Sequence, residues 1–259
     1  MGRKEDLHNT PKLLSILIPS VETRIVALAA MLEKIHRQVD GRADVEVLSI
    51  IDTKTMTLGR KRNLLLDMAV GQYLTFINDD DDIAPNWLNV ITSNLNAQPG
   101  VDVLSIRAEC KMRLSAFQPW QHAHIMATSL ACTEVGIKFV GSEPQLFLHK
   151  PVMWCVWRTE IARAARFPDR TYGEDNPWAF EACRLATTER VVPFPLYCYY
   201  ADDSTSEAGP WMDGFNCGMD IITYTNAEQF LTKNAALLDV LGFLVESKED
   251  ASMKVGAVI

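Results

Sequence analysis

The sequence lacks several features that would assign it to a familiar class of protein. Its six cysteines form no Cys-x-x-Cys pair, which disfavours a zinc knuckle or a thioredoxin-type redox site. No uninterrupted apolar stretch approaches the roughly 20 residues that a membrane helix needs. The polar N-terminal segment has no apolar core of the kind that a signal peptide carries. These absences predict a cytoplasmic protein without a membrane segment, whose cysteines are reduced and buried.

Positive charge is also scarce. The 259 residues include 25 Lys and Arg against 33 Asp and Glu, which gives a net charge of −8 and a pI near 5.2. Proteins that bind phosphate backbones usually carry a basic face, and here only Arg60-Lys61-Arg62 stands out as basic. The charge balance therefore disfavours nucleic acid as the main partner. A local basic groove at this short segment stays an alternative.

Hydrophobic periodicity indicates an α/β fold. Short apolar runs typical of buried strands alternate with segments of helical spacing, the runs at 13–18, 45–51, 73–77 and 101–106 and the helices at 21–38, 58–70 and 85–95. This alternation predicts a Rossmann-like, mostly parallel sheet with right-handed crossovers and helices on both faces. Residues 107–150 have no clear period and are expected to be irregular, whereas 191–200 and 226–245 read as strand and helix.

The most polar motifs follow the predicted strands directly. They are residues 20–24 after the first strand, Asp52 after the second and residues 78–82 after the third. Ligands of open α/β sheets bind at the carboxyl ends of the strands. The sequence therefore predicts a ligand site at this edge of the sheet.

The run Asn78-Asp79-Asp80-Asp81-Asp82 contains four consecutive aspartates, whose charges repel one another unless they are solvated or neutralised. One interpretation is a solvated loop in which Asp81 or Asp82 caps the next helix. That interpretation explains one or two of the aspartates. The other is a site for Mg²⁺ or Mn²⁺, held by one or two carboxylates and by diphosphate oxygens.

Several segments together resemble glycosyltransferase family 2, whose members have a GT-A fold. They are residues 13–20, Asp52, 59–63, 71–81, Pro85 and Glu174-Asp175. The resemblance is closest to compact members often encoded by phages. It implies a single GT-A domain over residues 1–259, with a nucleotide-sugar-binding half at 13–106, an irregular acceptor and catalytic half at 107–205 and a C-terminal helix at 224–246.

The resemblance also implies an inverting, metal-dependent transfer of a hexose or pentose from a nucleotide-diphosphate donor, with UDP as the expected nucleotide. Asp80 corresponds to the metal ligand, and Asn78 stands where the family has an Asp, so that Asp79 or Asp81 would compensate for the lost charge. The first-strand residues would line the nucleoside pocket, Asp52 would accept a hydrogen bond from the base, and the arginines would approach phosphate or sugar. The implied donor-binding residues are Pro19, Ser20, Glu22, Asp52, Arg60, Arg62, Asn78 and Asp79.

Asp175 corresponds to the catalytic base of inverting members. A carboxylate beside the acceptor hydroxyl would remove its proton as the oxygen attacks the anomeric carbon. Glu174, Trp154 and Trp178 are expected on the acceptor side. The alternative is that Glu174 and Asp175 only favour the N-terminus of the following helix.

Many family members add a late His as a metal ligand, but this chain has no His after His149. Asp202 or Asp203 is the suggested substitute.

The acceptor stays open between a glycan and a modified base in DNA. A nucleotidyltransferase acting on a sugar phosphate is an alternative, although the segment after the first strand has no phosphate-binding glycine. A glycoside hydrolase would use Asp80 and Asp175 as its two carboxylates, but would leave the nucleotide features unexplained. A degenerate nucleotide- or carbohydrate-binding module is the non-enzymatic alternative, because Asn78 and the missing His weaken the metal site.

Overall fold

The computed structural model describes residues 11–113, 121–133, 136–142, 145–202, 221–245 and 255–257. Most of their strands join one 11-stranded mixed sheet. The helices are α1 (Ile25–Val39), α2 (Leu58–Met68), α3 (Trp87–Ala97), α4 (Thr159–Ala165), α5 (Asp175–Leu185) and α6 (Ala227–Val240). The strands are β1 (Leu14–Val21), β2 (Val45–Asp52), β3 (Tyr73–Phe76), β4 (Asp82–Ile83), β5 (Val103–Arg113), β6 (Gln121–Thr128), β7 (Gly136–Phe139), β8 (Gln145–His149), β9 (Val156–Arg158), β10 (Glu189–Asp202), β11 (Ile221–Tyr224), β12 (Phe243–Val245) and β13 (Val255–Ala257).

The N-terminal half is built on parallel strands. β1 pairs in parallel with β2 on one side and β3 on the other, and β10 pairs in parallel with β5. β9 runs antiparallel between β3 and β5. Leu14, Ile16, Leu17 and Ile18 are all fully buried, because helices cover both faces of the sheet here and the strand reads as a continuous apolar run. The predicted α/β fold is confirmed.

The region predicted as irregular contains strands instead. β6, β7 and β8 extend the same sheet beyond β5, and α6 packs on them through a stacked pair, Phe139 and Phe230, with ring centroids 4.6 Å apart. β7 and β8 are buried along most of their length, so their apolar residues do not alternate with polar ones as a half-buried strand would. α6 lies within the segment predicted as the C-terminal helix, but it ends at Val240, and β12 occupies the end of that segment.

The acidic run does not cap the next helix, so that interpretation is wrong. α3 begins at Trp87 with Asn86 at its N-cap. Asp82 lies in β4, which pairs with β10, and its carboxylate accepts a hydrogen bond from Lys34 Nζ at 2.7 Å. The aspartates therefore have other partners, which are described below.

Cysteine burial agrees with the sequence. Among the described residues, no disulfide joins any of the cysteines; all are buried except the half-buried Cys198, and the buried ones are Cys110, Cys132, Cys155 and Cys183. No helix in the described ranges has the length and apolar character needed to cross a bilayer.

The N-terminus of α2 is held against the loop that precedes α5. Gly59 N donates to Arg170 O at 3.0 Å, and Asn63 exchanges hydrogen bonds of 2.8 and 2.9 Å with the backbone of Phe167. A Cβ atom at Gly59 would lie 1.9 Å from Pro168 O. Only glycine allows this approach of the two backbones.

We predict that Gly59→Ala lowers the free energy of unfolding by about 1–3 kcal/mol, because the backbone at Pro168 must move away. Urea titration followed by tryptophan fluorescence measures the change. Arg60→Ala is the matched control, since Arg60 is adjacent and exposed and its loss should cost no more than about 0.5 kcal/mol. Equal stability of the two variants would contradict the packing described here.

Candidate active site

Three parallel strands bring the polar motifs to one edge of the sheet. β1 ends at Val21, which pairs in register with Asp52 at the end of β2. Asn78 follows β3, the neighbour of β1 on the other side. The strand ends that carry the polar motifs therefore lie side by side, as the sequence predicted.

Asp79 and Asp80 share one cation, the guanidinium of Arg24. Arg24 Nη1 lies 3.0 Å from Asp79 Oδ1 and 2.8 Å from Asp80 Oδ2. Asp79 also accepts a 2.5 Å hydrogen bond from the hydroxyl of buried Ser20, and only 2% of its side chain is exposed. The side chain of Asp80, in contrast, is 44% exposed. Ser20 and Asp79 thus support the edge from inside, and Asp80 faces solvent.

Asp81 is buried and held by β10. It accepts hydrogen bonds from the Tyr197 hydroxyl at 2.5 Å, the Tyr200 backbone N–H at 2.9 Å and Asn78 Nδ2 at 2.9 Å. Burial raises the pKa of Asp81 to about 8 and repulsion from Asp80 adds to the rise, while these hydrogen bonds oppose it. Asp81 therefore orders the loop and is not presented to a ligand.

Asp80 is the most exposed carboxylate of the run, with 44% of its side chain exposed against 34% for Asp82, which pairs with Lys34. In the parts of the chain that the structure describes, no three His, Cys, Asp or Glu side chains gather into a metal site. Mg²⁺ is commonly bound through one or two carboxylates, with substrate phosphates and waters as the other ligands. The residues present fit a cation held by Asp80 together with a bound diphosphate, and they do not fit one held by protein alone.

Asp52 is engaged by Lys61, which corrects its expected role. Its Oδ1 forms a buried ion pair with Lys61 Nζ, which also donates to Ser20 O at 2.6 Å. Its Oδ2 accepts from the backbone N–H of Met56 at 2.8 Å and from the Thr55 hydroxyl at 3.3 Å. Burial acts to raise the pKa of Asp52, but the Lys61 and backbone hydrogen bonds outweigh it, so the pKa is lowered. This packing fixes the loop after β2 and does not support Asp52 as the residue that reads a base.

Arg62 and Glu174 are buried together, so neither meets a donor or an acceptor directly as was expected. Arg62 Nη1 forms an ion pair with Glu174, and Nη2 donates to Asn78 Oδ1 at 3.2 Å. The guanidinium also lies 5.9 Å from the ring centroid of Phe76 and 5.4 Å from that of Phe167. Burial raises the pKa of Glu174, although Arg62 opposes the rise. Arg62 therefore joins the acidic loop to the start of α5.

Asp175 follows at the first position of α5, half-buried, with one carboxylate oxygen accepting from the Asn176 N–H at 2.9 Å. Tyr199, on β10, is within electrostatic range of both Asp175 and the acidic run. Its pKa is raised well above the ordinary value by burial and by the charges of Asp81, Asp80 and Asp175, among others. Both acidic elements therefore act on the same tyrosine, and Glu174, which Arg62 joins to Asn78, immediately precedes Asp175.

Both of the tryptophans expected on the acceptor side are buried. Trp154 is buried behind the acidic loop, stacked on Tyr197 and Tyr199 at ring-centroid distances of 5.2 and 5.9 Å. Trp178 is 0% exposed, stacks on Phe167 at 4.7 Å and donates to Ala162 O, so it belongs to the core and the prediction that it meets the acceptor is wrong.

Other predicted residues are spread over the edge. Pro19 is buried in β1. Glu22, which follows β1, and Arg60, in the first turn of α2, are both exposed. The side chain of Asp202 and all of Asp203 lie outside the described residues.

The sequence did not single out three residues that organise this edge: Arg24, Lys61 and Tyr197. Arg24 lies within the polar segment after β1, and Lys61 lies between the two arginines that were chosen, so both were within predicted motifs. Tyr197 carries no local signal, because its contact with Asp81 spans 116 residues of sequence.

No protein-family model matches the chain, and no curated protein matches it as a relative. Among solved structures it is similar to TarS of S. aureus, with 18% identity, a TM-score of 0.46, and coverage of 73% of this chain and 36% of TarS. TarS 1-349 in complex with UDP gives 16% identity, a TM-score of 0.45 and coverage of 73% and 60%. For the complex of TarS 1-349 with UDP-GlcNAc, the identity is 16% and the TM-score is 0.45, with coverage of 88% of this chain and 66% of that one. The chain therefore spans about a third of full TarS, and similarity at this level assigns no activity.

We predict that Arg62→Met lowers the free energy of unfolding by roughly 3–5 kcal/mol, because it leaves Glu174 buried without its cation. Adding Glu174→Leu should recover part of this loss, since the unpaired buried carboxyl is then removed. Urea titration measures both. The exposed pair Arg184 and Glu181 is the control, and Arg184→Met should cost less than about 1 kcal/mol. A double variant no more stable than Arg62→Met would contradict the pairing.

Proposed function

We propose that the protein is an inverting glycosyltransferase that moves a sugar from a nucleoside-diphosphate donor to an acceptor hydroxyl. The observation that carries the proposal is the link from Asn78 through Arg62 to Glu174. It holds an exposed strand-end carboxylate, Asp80, and a helix-start carboxylate, Asp175, at the same edge of an α/β sheet. These are the two chemical roles that such a transfer needs.

On the donor side, exposed Asp80 is the ligand for Mn²⁺ or Mg²⁺, and exposed Arg60 is available to the phosphates. When bound, the cation stabilises the negative charge that grows on the departing diphosphate. Arg24, Ser20 and Lys61 hold the loops that carry these groups. UDP is the first nucleotide to test, as the resemblance to family 2 implies, and the GT-A fold is part of the same proposal.

On the acceptor side, Asp175 is the general base. The acceptor oxygen loses its proton to Asp175 as it bonds to the anomeric carbon, and the bond from that carbon to the diphosphate oxygen breaks on the opposite face. Charge balances, because the proton passes to the carboxylate and the electron pair leaves with the diphosphate. Attack opposite the leaving group inverts the configuration at the anomeric carbon.

The acceptor belongs to one of two classes, a glycan or a modified base in nucleic acid, as expected for a compact phage-type enzyme of the cytoplasm. The net charge of −8 favours the glycan. Whether the transferred sugar is a hexose or a pentose is decided by assaying both kinds of donor.

A binding module without turnover is the second candidate. It is favoured by the cationic partners that already occupy the donor-side carboxylates: Lys61 at Asp52, and Arg24 at Asp79 and Asp80. A panel of nucleotide sugars, assayed for release of nucleoside diphosphate with Mn²⁺, Mg²⁺ or EDTA, separates the two. Metal-dependent binding of a nucleotide sugar without release of nucleoside diphosphate identifies the module. If the protein neither binds nor turns over any donor, both functions are contradicted.

Asp80→Asn is expected to weaken Mn²⁺-dependent UDP binding at least about tenfold, because the accessible carboxylate is lost. Isothermal titration with Mn²⁺ and with EDTA measures the difference. Asp67→Asn is the control, since Asp67 is an exposed carboxylate near the C-terminal end of α2 and pairs with Arg166. Metal-dependent binding that survives in Asp80→Asn rules out Asp80 as the ligand.

Asp175→Asn is expected to leave UDP binding unchanged and to slow transfer by about 10²–10⁴-fold, because the amide cannot accept the proton. Titration calorimetry and product release under saturating donor measure the two effects separately. Asp169→Asn, a change in the loop before α5, is the control. Transfer at the wild-type rate in Asp175→Asn would show that another group is the base.

A further inference from the structure

Arg24 occupies the space between the two carboxylates that a cation at this edge would approach. A single nitrogen, Nη1, lies 3.0 Å from Asp79 and 2.8 Å from Asp80. Arg24 ends the short helical turn Glu22–Arg24 that follows β1, so its backbone is fixed beside the acidic run. Its side chain remains 41% exposed.

The two carboxylates differ in how freely they can change partners. Asp79 is almost fully buried and is also bound by Ser20, whose carbonyl accepts from Lys61 at 2.6 Å. Asp80 is exposed, and Arg24 is the one cation within ion-pair distance of it among the described residues. A divalent ion that binds Asp80 must therefore displace or repel the guanidinium, because two cations cannot neutralise the same oxygen without repelling each other.

We propose that Arg24 and the divalent cation compete for Asp80, and that the displaced guanidinium passes to the diphosphate of the bound nucleotide. The second half of this inference rests on the proposed function, since it requires a nucleotide at the site. A guanidinium is suited to the exchange because its several N–H donors bind phosphate oxygens as well as carboxylates. Arg24 then remains anchored to Asp79 while it changes its second partner from Asp80 to phosphate.

The competition makes cation binding depend on the nucleotide. Without nucleotide, the cation gains Asp80 but leaves Arg24 with one partner fewer, so binding is weak. With nucleotide, the diphosphate supplies oxygens to the cation and to Arg24 at once. Thermodynamic linkage requires the cation to strengthen nucleotide binding by the same factor.

The test is the affinity for Mn²⁺, read from the electron paramagnetic resonance signal of the free ion, without any turnover. Arg24→Gln should bind Mn²⁺ about three- to tenfold more tightly than the wild type, a range set by the part-exposed ion pair that it removes. Lys34→Gln is the matched control, because Lys34 pairs with Asp82, a different carboxylate of the same run. Its Mn²⁺ affinity should stay within about twofold of the wild type.

Unchanged Mn²⁺ affinity in a folded Arg24→Gln, or equal tightening in Lys34→Gln, overturns the competition. If Arg24→Gln does not fold, Arg24→Lys replaces it: the shorter side chain should loosen the contact with Asp80 and tighten Mn²⁺ binding, and unchanged affinity again overturns it. Adding UDP should strengthen Mn²⁺ binding more in the wild type than in the variant, and equal strengthening overturns the transfer to phosphate. Tighter Mn²⁺ binding by the variant in a protein that transfers no sugar would uphold the competition while the proposed function fails.

Discussion

Four adjacent carboxylates at the end of one strand repel one another, and the surrounding structure is arranged by how that repulsion is relieved. The aspartates are neutralised by cations or stabilised by hydrogen bonds from several different elements. Asp79 and Asp80 share Arg24 from the end of β1, and Asp82 binds Lys34 from α1. Asp81, which is also buried, is held by hydrogen bonds from β10 and Asn78. The run thus draws together elements from both halves of the chain.

The second organising contact is the buried pair of Arg62 and Glu174. It connects the N-terminal half, through Asn78, to the helix that begins with Asp175. Aromatic rings and the close approach at Gly59 surround the link, so neither half can shift without disturbing the other. In this arrangement the buried charged residues Arg62 and Glu174 fix the position of the acidic loop relative to the start of α5.

The sequence predicted the parallel strands and the edge that carries the polar motifs because both follow from local patterns. β1 to β3 are apolar runs followed at once by polar residues, and sheet topology then brings their ends together. The partners of the polar residues were not predictable in this way. Asp52 follows a strand as expected, yet its pairing with Lys61 depends on how α2 packs, and Tyr197 is joined to Asp81 by strand pairing over a long separation. Burial decided the remaining cases, since no pattern distinguishes Trp178 in the core from a tryptophan at the surface.

The partners of Asp81 lie 116 and 119 residues farther along the chain, on β10. During synthesis the acidic loop therefore leaves the ribosome long before those partners exist, and a parallel sheet of this kind closes only through such distant contacts. The early part of the chain, which includes Ser20, Arg24 and Lys34, can form its three parallel strands while Asp81 still lacks its β10 partners. The buried carboxylate at the centre of the acidic loop can thus gain its β10 hydrogen bonds only after residues 197–200 have been made.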